Sequence, residues 1–90
     1  MDPQQFRQQL ITEGFDEVLD RTLPAGQQLG AHTHPFAVKA LVTDGEVALG
    51  VGGVVTTYRV GEVFSMAAGC EHTERYGDAG VSYVVGRKNG

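Results

Sequence analysis

Cysteine is almost absent from this 90-residue chain: Cys70 stands alone. A disulfide framework needs a partner, so none can staple the chain, and a lone thiol fits a reducing cytosol. Positive charge is sparse as well. The seven basic residues are scattered, only Arg87 and Lys88 adjoin, and the formal net charge is −4. No basic stripe exists to neutralise a run of phosphates, which argues against nucleic-acid binding. Nor does any apolar run approach the ~18 residues of a membrane-spanning helix. The opening Met1-Asp2-Pro3 and the glutamines after it are unlike a secretory signal, so a cytoplasmic protein is expected.

Glycine is what the chain has in excess, 13 residues of 90. That many suggests short strands that reverse direction repeatedly. Before them, residues 3–13 read as a helix. Asp2 is a good N-cap, Pro3 suits the first turn, and Gly14 can supply a left-handed stop. Phe6 and Leu10 share one face, so this segment (1–14) is expected to lie against the remainder of the chain. From Phe15 to Gly90 the pattern is all-β. Strands are expected at 16–23, 36–43, 47–51, 54–60, 63–66, 72–76 and 81–85. Asp44-Gly45 and Gly77-Asp78-Ala79-Gly80 read as turns between them. Such spacing indicates a sandwich or barrel.

The chain has only three histidines. On a strand, residues i and i+2 share a face, so His32 and His34 can converge on one point. His72 lies about 40 residues later and can join them only in a closed β architecture. Three imidazoles from two places make an open metal site, with positions left for water or a ligand.

The spacing of these residues resembles that of the cupin superfamily over nearly the whole chain. Gly26, His32-Thr33-His34 and Gly45 fall into the first cupin motif, and Gly61, Gly69 and His72 into the second. Ala67 replaces the second motif's proline and Tyr76 its asparagine. The resemblance implies a small antiparallel jelly-roll β-barrel, a homodimer, and one divalent ion (zinc, iron, nickel, manganese or copper) on His32, His34 and His72. As activity it implies a dioxygenase- or isomerase-like reaction on a small organic anion. A non-catalytic binding or sensing module, or a purely structural dimer, is the alternative.

One slot departs from the pattern. Where the first motif carries a glutamate, this chain has Val38. Three neutral imidazoles would leave a divalent ion its full charge and favour an anionic ligand. Glu74 alternates with His72 and Tyr76 on one expected strand and should face inward with them. It reads as a replacement ligand, a general base or a supporting group, against the plainer reading of a solvated strand-end carboxylate. Tyr76 reads as a donor to a bound oxygen or as packing. Phe36, Val38, Ala40, Leu49 and Met66 are expected to wall an apolar pocket, and Cys70 reads most simply as a small core residue.

Overall fold

Helix α1 (Pro3–Thr12) starts where the sequence supplies a cap: Asp2 Oδ1 accepts from the Gln4 backbone N–H at 3.0 Å. It ends on Gly14, at φ +86°. There the Gly14 N–H donates to the Ile11 carbonyl and the Phe15 N–H to the Leu10 carbonyl, each at 3.1 Å. This pair of bonds satisfies carbonyls that the helix end would leave orphaned. The helix is too short to be stable alone. Its stability comes from Phe6 and Leu10, both fully buried against Leu41 and Val84. Burial of side chains of this size contributes about 1.5–3 kcal/mol each.

The computed structural model describes residues 1–89 of the chain, so Gly90 at the end of the expected 15–90 domain lies outside them. Six strands follow the helix: β1 (Glu17–Leu23), β2 (Gln28–His32), β3 (Ala37–Val51), β4 (Val54–Arg59), β5 (Val63–Met66) and β6 (His72–Lys88). All pairings are antiparallel, in the order β1-β6-β3-β4, with β2 also on β6 and β5 also on β3. This is the antiparallel barrel with a short N-terminal helix that the sequence leads one to expect.

Two expected turns are instead bends within continuous strands. β3 runs through Asp44-Gly45, and β6 runs through Gly77-Asp78-Ala79-Gly80. The β3–β6 register shifts between Val42 and Asp44 and again between Gly45 and Val47. Gly45 and Gly80 have φ of +68° and +75°, so both need the left-handed region. A bulge uses such a glycine as readily as a hairpin does, and the sequence signal is the same for both. The two corners also nest. A Cβ on Gly45 would collide with the Gly80 carbonyl, and one on Gly80 would stand 2.5 Å from the Leu23 carbonyl oxygen.

Bending divides each long strand between two layers. Ala37–Leu41 of β3 pairs with Val84–Lys88 of β6, and Val38–Leu41 also pairs with β5. Val47–Gly50 pairs with Thr73–Tyr76 and, on its other side, with β4. Strand alternation turns Val38, Ala40, Val42, Val47 and Leu49 inward, where they pack with Phe64, Tyr76, Val81 and Val85. Leu41 and Val84 face the opposite way, and the helix covers them. Among the described residues no helix is long and apolar enough to cross a membrane.

Candidate metal centre

The histidines meet because β2 and β6 are neighbours. In their register Leu29 faces Glu74 and His32 faces His72, with an irregularity between Leu29 and His32. His34 lies just past the end of β2 rather than on the strand expected to carry both residues. Its chain is held in place by the Gly69 N–H, which donates to the His34 carbonyl at 2.8 Å. The imidazoles still converge. Ring centroids are 4.3 Å apart for His32 and His72, 5.0 Å for His32 and His34, and 5.1 Å for His34 and His72.

Hydrogen bonds orient two of the rings. His32 Nδ1 donates to the Gly30 carbonyl at 2.7 Å, and His72 Nδ1 to the Cys70 carbonyl at 3.0 Å. A carbonyl can only accept, so both Nδ1 atoms carry protons. In the neutral rings each Nε2 is then a lone pair, the state a metal ligand needs. Both Nε2 atoms point at one oxygen, Glu74 Oε2, at 3.1 Å each. The other Glu74 oxygen accepts from Tyr76 Oη, also at 3.1 Å.

Ligand atoms of His32, His34, His72 and Glu74 all lie within 4.8 Å of one another. Among the described residues, then, the inward cluster has four members, and its carboxylate comes from β6. His72 is buried at 2% exposure, and the other three are half-buried. Burial, reinforced by His72 and His32, holds the His34 imidazole below its ordinary pKa and so favours its neutral form. Burial also raises the Tyr76 phenol, with the Glu74 carboxylate as the next cause. Tyr83 is raised for the same two reasons in the same order.

A cavity of ≈ 130 Å³ opens beside the cluster. Phe36, Val38 and Met66 border it, as do Glu74 and Tyr76. Ala40 and Leu49, expected in its wall, are packed in the core behind it. Phe36 stacks on the His34 ring at 5.1 Å with an interplanar angle of 11°. Cys70 contributes its backbone carbonyl to His72 rather than its sulfur to the cluster.

Three bordering polar residues escape a reading of the histidine motif alone: Arg21, Tyr83 and Arg87. The signal for Arg21 lies in strand alternation. Leu19, Arg21 and Leu23 share one face of β1, and both leucines pack on the core. A charged residue between two core leucines must either snorkel away or face an internal space.

Comparisons with known proteins agree with this architecture. A search of curated proteins gives no match. Among solved structures, an uncharacterised conserved protein with a double-stranded β-helix domain from Klebsiella pneumoniae superposes with a TM-score of 0.67 at 24% identity. That alignment covers 81% of this chain and 66% of the other. The DMSP lyase DddQ from Ruegeria pomeroyi gives 0.70 at 20% identity, covering 80% of this chain and 37% of the lyase. Oxalate decarboxylase from Bacillus subtilis, a protein with Mn(II) centres, gives 0.70 at 18% identity, covering 81% and 21%. At these identities the likeness is one of fold. The family model described as "Cupin domain" matches residues 20–85, most of the chain, and with the barrel and the converging histidines it places this protein in the cupin family.

Proposed function

We propose that this cupin binds one divalent first-row metal ion through His32, His34, His72 and Glu74, and presents a small organic acid to it in the adjoining cavity. The observation that carries the reading is the pair of Nε2 lone pairs aimed at Glu74 Oε2. Two imidazole nitrogens and a carboxylate oxygen this close need positive charge between them, and a divalent ion supplies it to all three at once, whereas a proton serves one pair. The donor set suits a metal: nitrogen from imidazole, oxygen from carboxylate, and backbone carbonyls that fix the tautomers. A bound ion of this kind supplies Lewis acidity, and redox chemistry where the metal permits it.

The chain's own residues set the remaining conditions. Tyr76 holds one Glu74 oxygen by hydrogen bond, which leaves Oε2 to face the imidazoles. Its phenol stays protonated across the physiological range and is therefore a donor. Phe36, Val38 and Met66 make the wall beside the cluster apolar, which strengthens electrostatic attraction to a ligand anion. On this reading Glu74 is both ligand and proton acceptor, and a dioxygenase- or isomerase-like reaction is the activity to test. The related oxalate decarboxylase, named for a small acid, supports the choice of ligand class.

Two further proposals accompany it. Residues 15–90 act as one cupin unit capped by α1, in the cytoplasm, where Cys70 stays reduced. The chain pairs as a homodimer, supported by its limited core and by Val51, Val54 and Val55, which stand exposed around the β3–β4 turn. Light scattering on the purified protein tests the dimer.

Metal analysis of untagged protein beside His72→Ala decides the central claim. Stoichiometric metal in the wild type and its loss in the variant are expected. Equally negligible metal in both would remove the reading. Oxygen uptake and product analysis over a panel of small acids, under each candidate metal, then separates an enzyme from a binding module.

A further inference from the structure

The geometry points to Arg87 and Arg21 as the residues that select the ligand: they hold the far carboxylate of a three- or four-carbon acid whose other oxygens face the His/Glu cluster. This deepens the metal-centre reading and rests on it.

The case begins with Val38. In the β3–β6 register Val38 and Arg87 are direct partners. Val38 fills the slot in which the cupin motif places a glutamate. A carboxylate there would lie beside the Arg87 guanidinium and neutralise it. With valine instead, Arg87 contacts an aromatic face: its Cζ lies 4.9 Å from the Phe36 ring centroid. Phe36 in turn stacks on His34. Arginine, aromatic ring and candidate ligand thus form one continuous wall.

Arg21, exposed to solvent, borders the same cavity from β1, where its register partner is Tyr83. Among the described residues Arg21, Arg75 and Arg87 make no ion pair, and of these Arg21 and Arg87 border the cavity. Among the described residues Glu74 is the one carboxylate bordering the cavity, and His32, His72 and Tyr76 already engage it. Two cations therefore border a common space with no anion among the described residues paired to them. Guanidinium groups offer a planar fork that matches a carboxylate with two parallel hydrogen bonds.

Cavity size limits the ligand. An engineered cavity of about 150 Å³ holds benzene, so ≈ 130 Å³ suits roughly six to eight heavy atoms. Phe36, Met66 and Val85 also line the cavity, and their apolar surface suits a short methylene link. A small dicarboxylate or 2-oxo acid has this size, this charge and this order of groups.

Malonate and malonamide test the inference, because they share one heavy-atom frame and differ in charge. Calorimetric titration of metal-loaded protein is expected to show malonate binding at least about tenfold tighter than malonamide. Arg87→Gln should weaken malonate by about tenfold or more, and Arg21→Gln should weaken it too, with metal content unchanged in both. Arg87→Lys, which keeps the charge and loses the fork, should fall between. Arg59→Gln removes the same charge from outside the cavity and should have no effect. In metal-free protein, malonate should still shift the Arg21 and Arg87 guanidinium Nε–H resonances.

Equal affinity for the two probes, or malonate binding that survives the Arg21/Arg87 double change, overturns the assignment. Metal measured on the same samples separates the failures. A wild type that keeps its metal and ignores the arginines sinks this inference alone. A wild type without metal sinks the metal reading, and the resonance shifts then still decide the anion site.

Discussion

His72 Nε2 and Glu74 Oε2 stand 3.1 Å apart on the same face of β6, while the other nitrogen of the His72 ring is committed to the Cys70 carbonyl. Glu74 is thereby placed to supply the negative charge that Val38 withholds. On the proposed reading the cupin acid is supplied by β6 instead of β3, next to a histidine two residues away on the same strand. Glu74→Gln keeps the size and removes the charge. Metal affinity, measured by competition with a chelator, should fall about 10–100-fold, in the range seen when a metal site loses a supporting carboxylate. Unchanged affinity would reduce Glu74 to a hydrogen-bonding partner of the rings.

Restoring the motif acid is the converse experiment. Val38→Glu places a carboxylate against Arg87, so malonate binding should drop while metal is retained. The side chain enters the core at a position only 8% exposed, and a stability loss of about 1–3 kcal/mol should accompany it. Malonate affinity equal to wild type in a folded Val38→Glu protein would contradict the role given to Arg87.

Alkaline titration follows from the two raised phenols. For Tyr76 and Tyr83 the folded chain keeps the proton above the ordinary value of 10. Stability from their neutral forms is therefore fully present below pH 10 and is lost as pH rises through the folded values. Tyrosinate absorbance should show two late ionisations, one removed by Tyr76→Phe and the other by Tyr83→Phe. Glu74→Gln should bring the Tyr76 ionisation down only in part, because burial is its larger cause. A full return to the ordinary value would make the carboxylate the main cause instead.

The helix is tested by removing its buried anchor. Leu10 is fully buried, and Leu10→Ala should cost about 2–5 kcal/mol, read from denaturant unfolding. Metal content should be unaffected, since Leu10 packs on the outer side of the sheet through Leu41 and Val84.

Helix, barrel and histidine cluster were all legible in the sequence, for identifiable reasons. Asp2, Pro3 and Gly14 act locally, and their meaning does not depend on the tertiary fold. His32 and His72 were recognisable by spacing. Other features depend on distant partners. Asp44-Gly45 announces a positive φ but not whether the chain reverses or bends, and only its contact with Gly80 settles that. Ala40 and Leu49 alternate correctly toward the interior, yet interior divides into core and cavity. Arg21 and Arg87 gain their meaning from register, which one strand cannot disclose.

The bend in β6 acts as a ruler for the ligand. Glu74 and Arg87 are far enough apart in the chain to be separated by roughly 40 Å on a straight strand, at about 3.3 Å per residue. Folding the strand back at Gly77–Gly80 brings both to the border of one small cavity. The bend therefore sets how far the backbone at Arg87 stands from the cluster, and the arginine side chain spans what is left. A substitution at Gly80, remote from any chemistry, would strain the bend and so shift Arg87 relative to the cluster, altering the site from a distance.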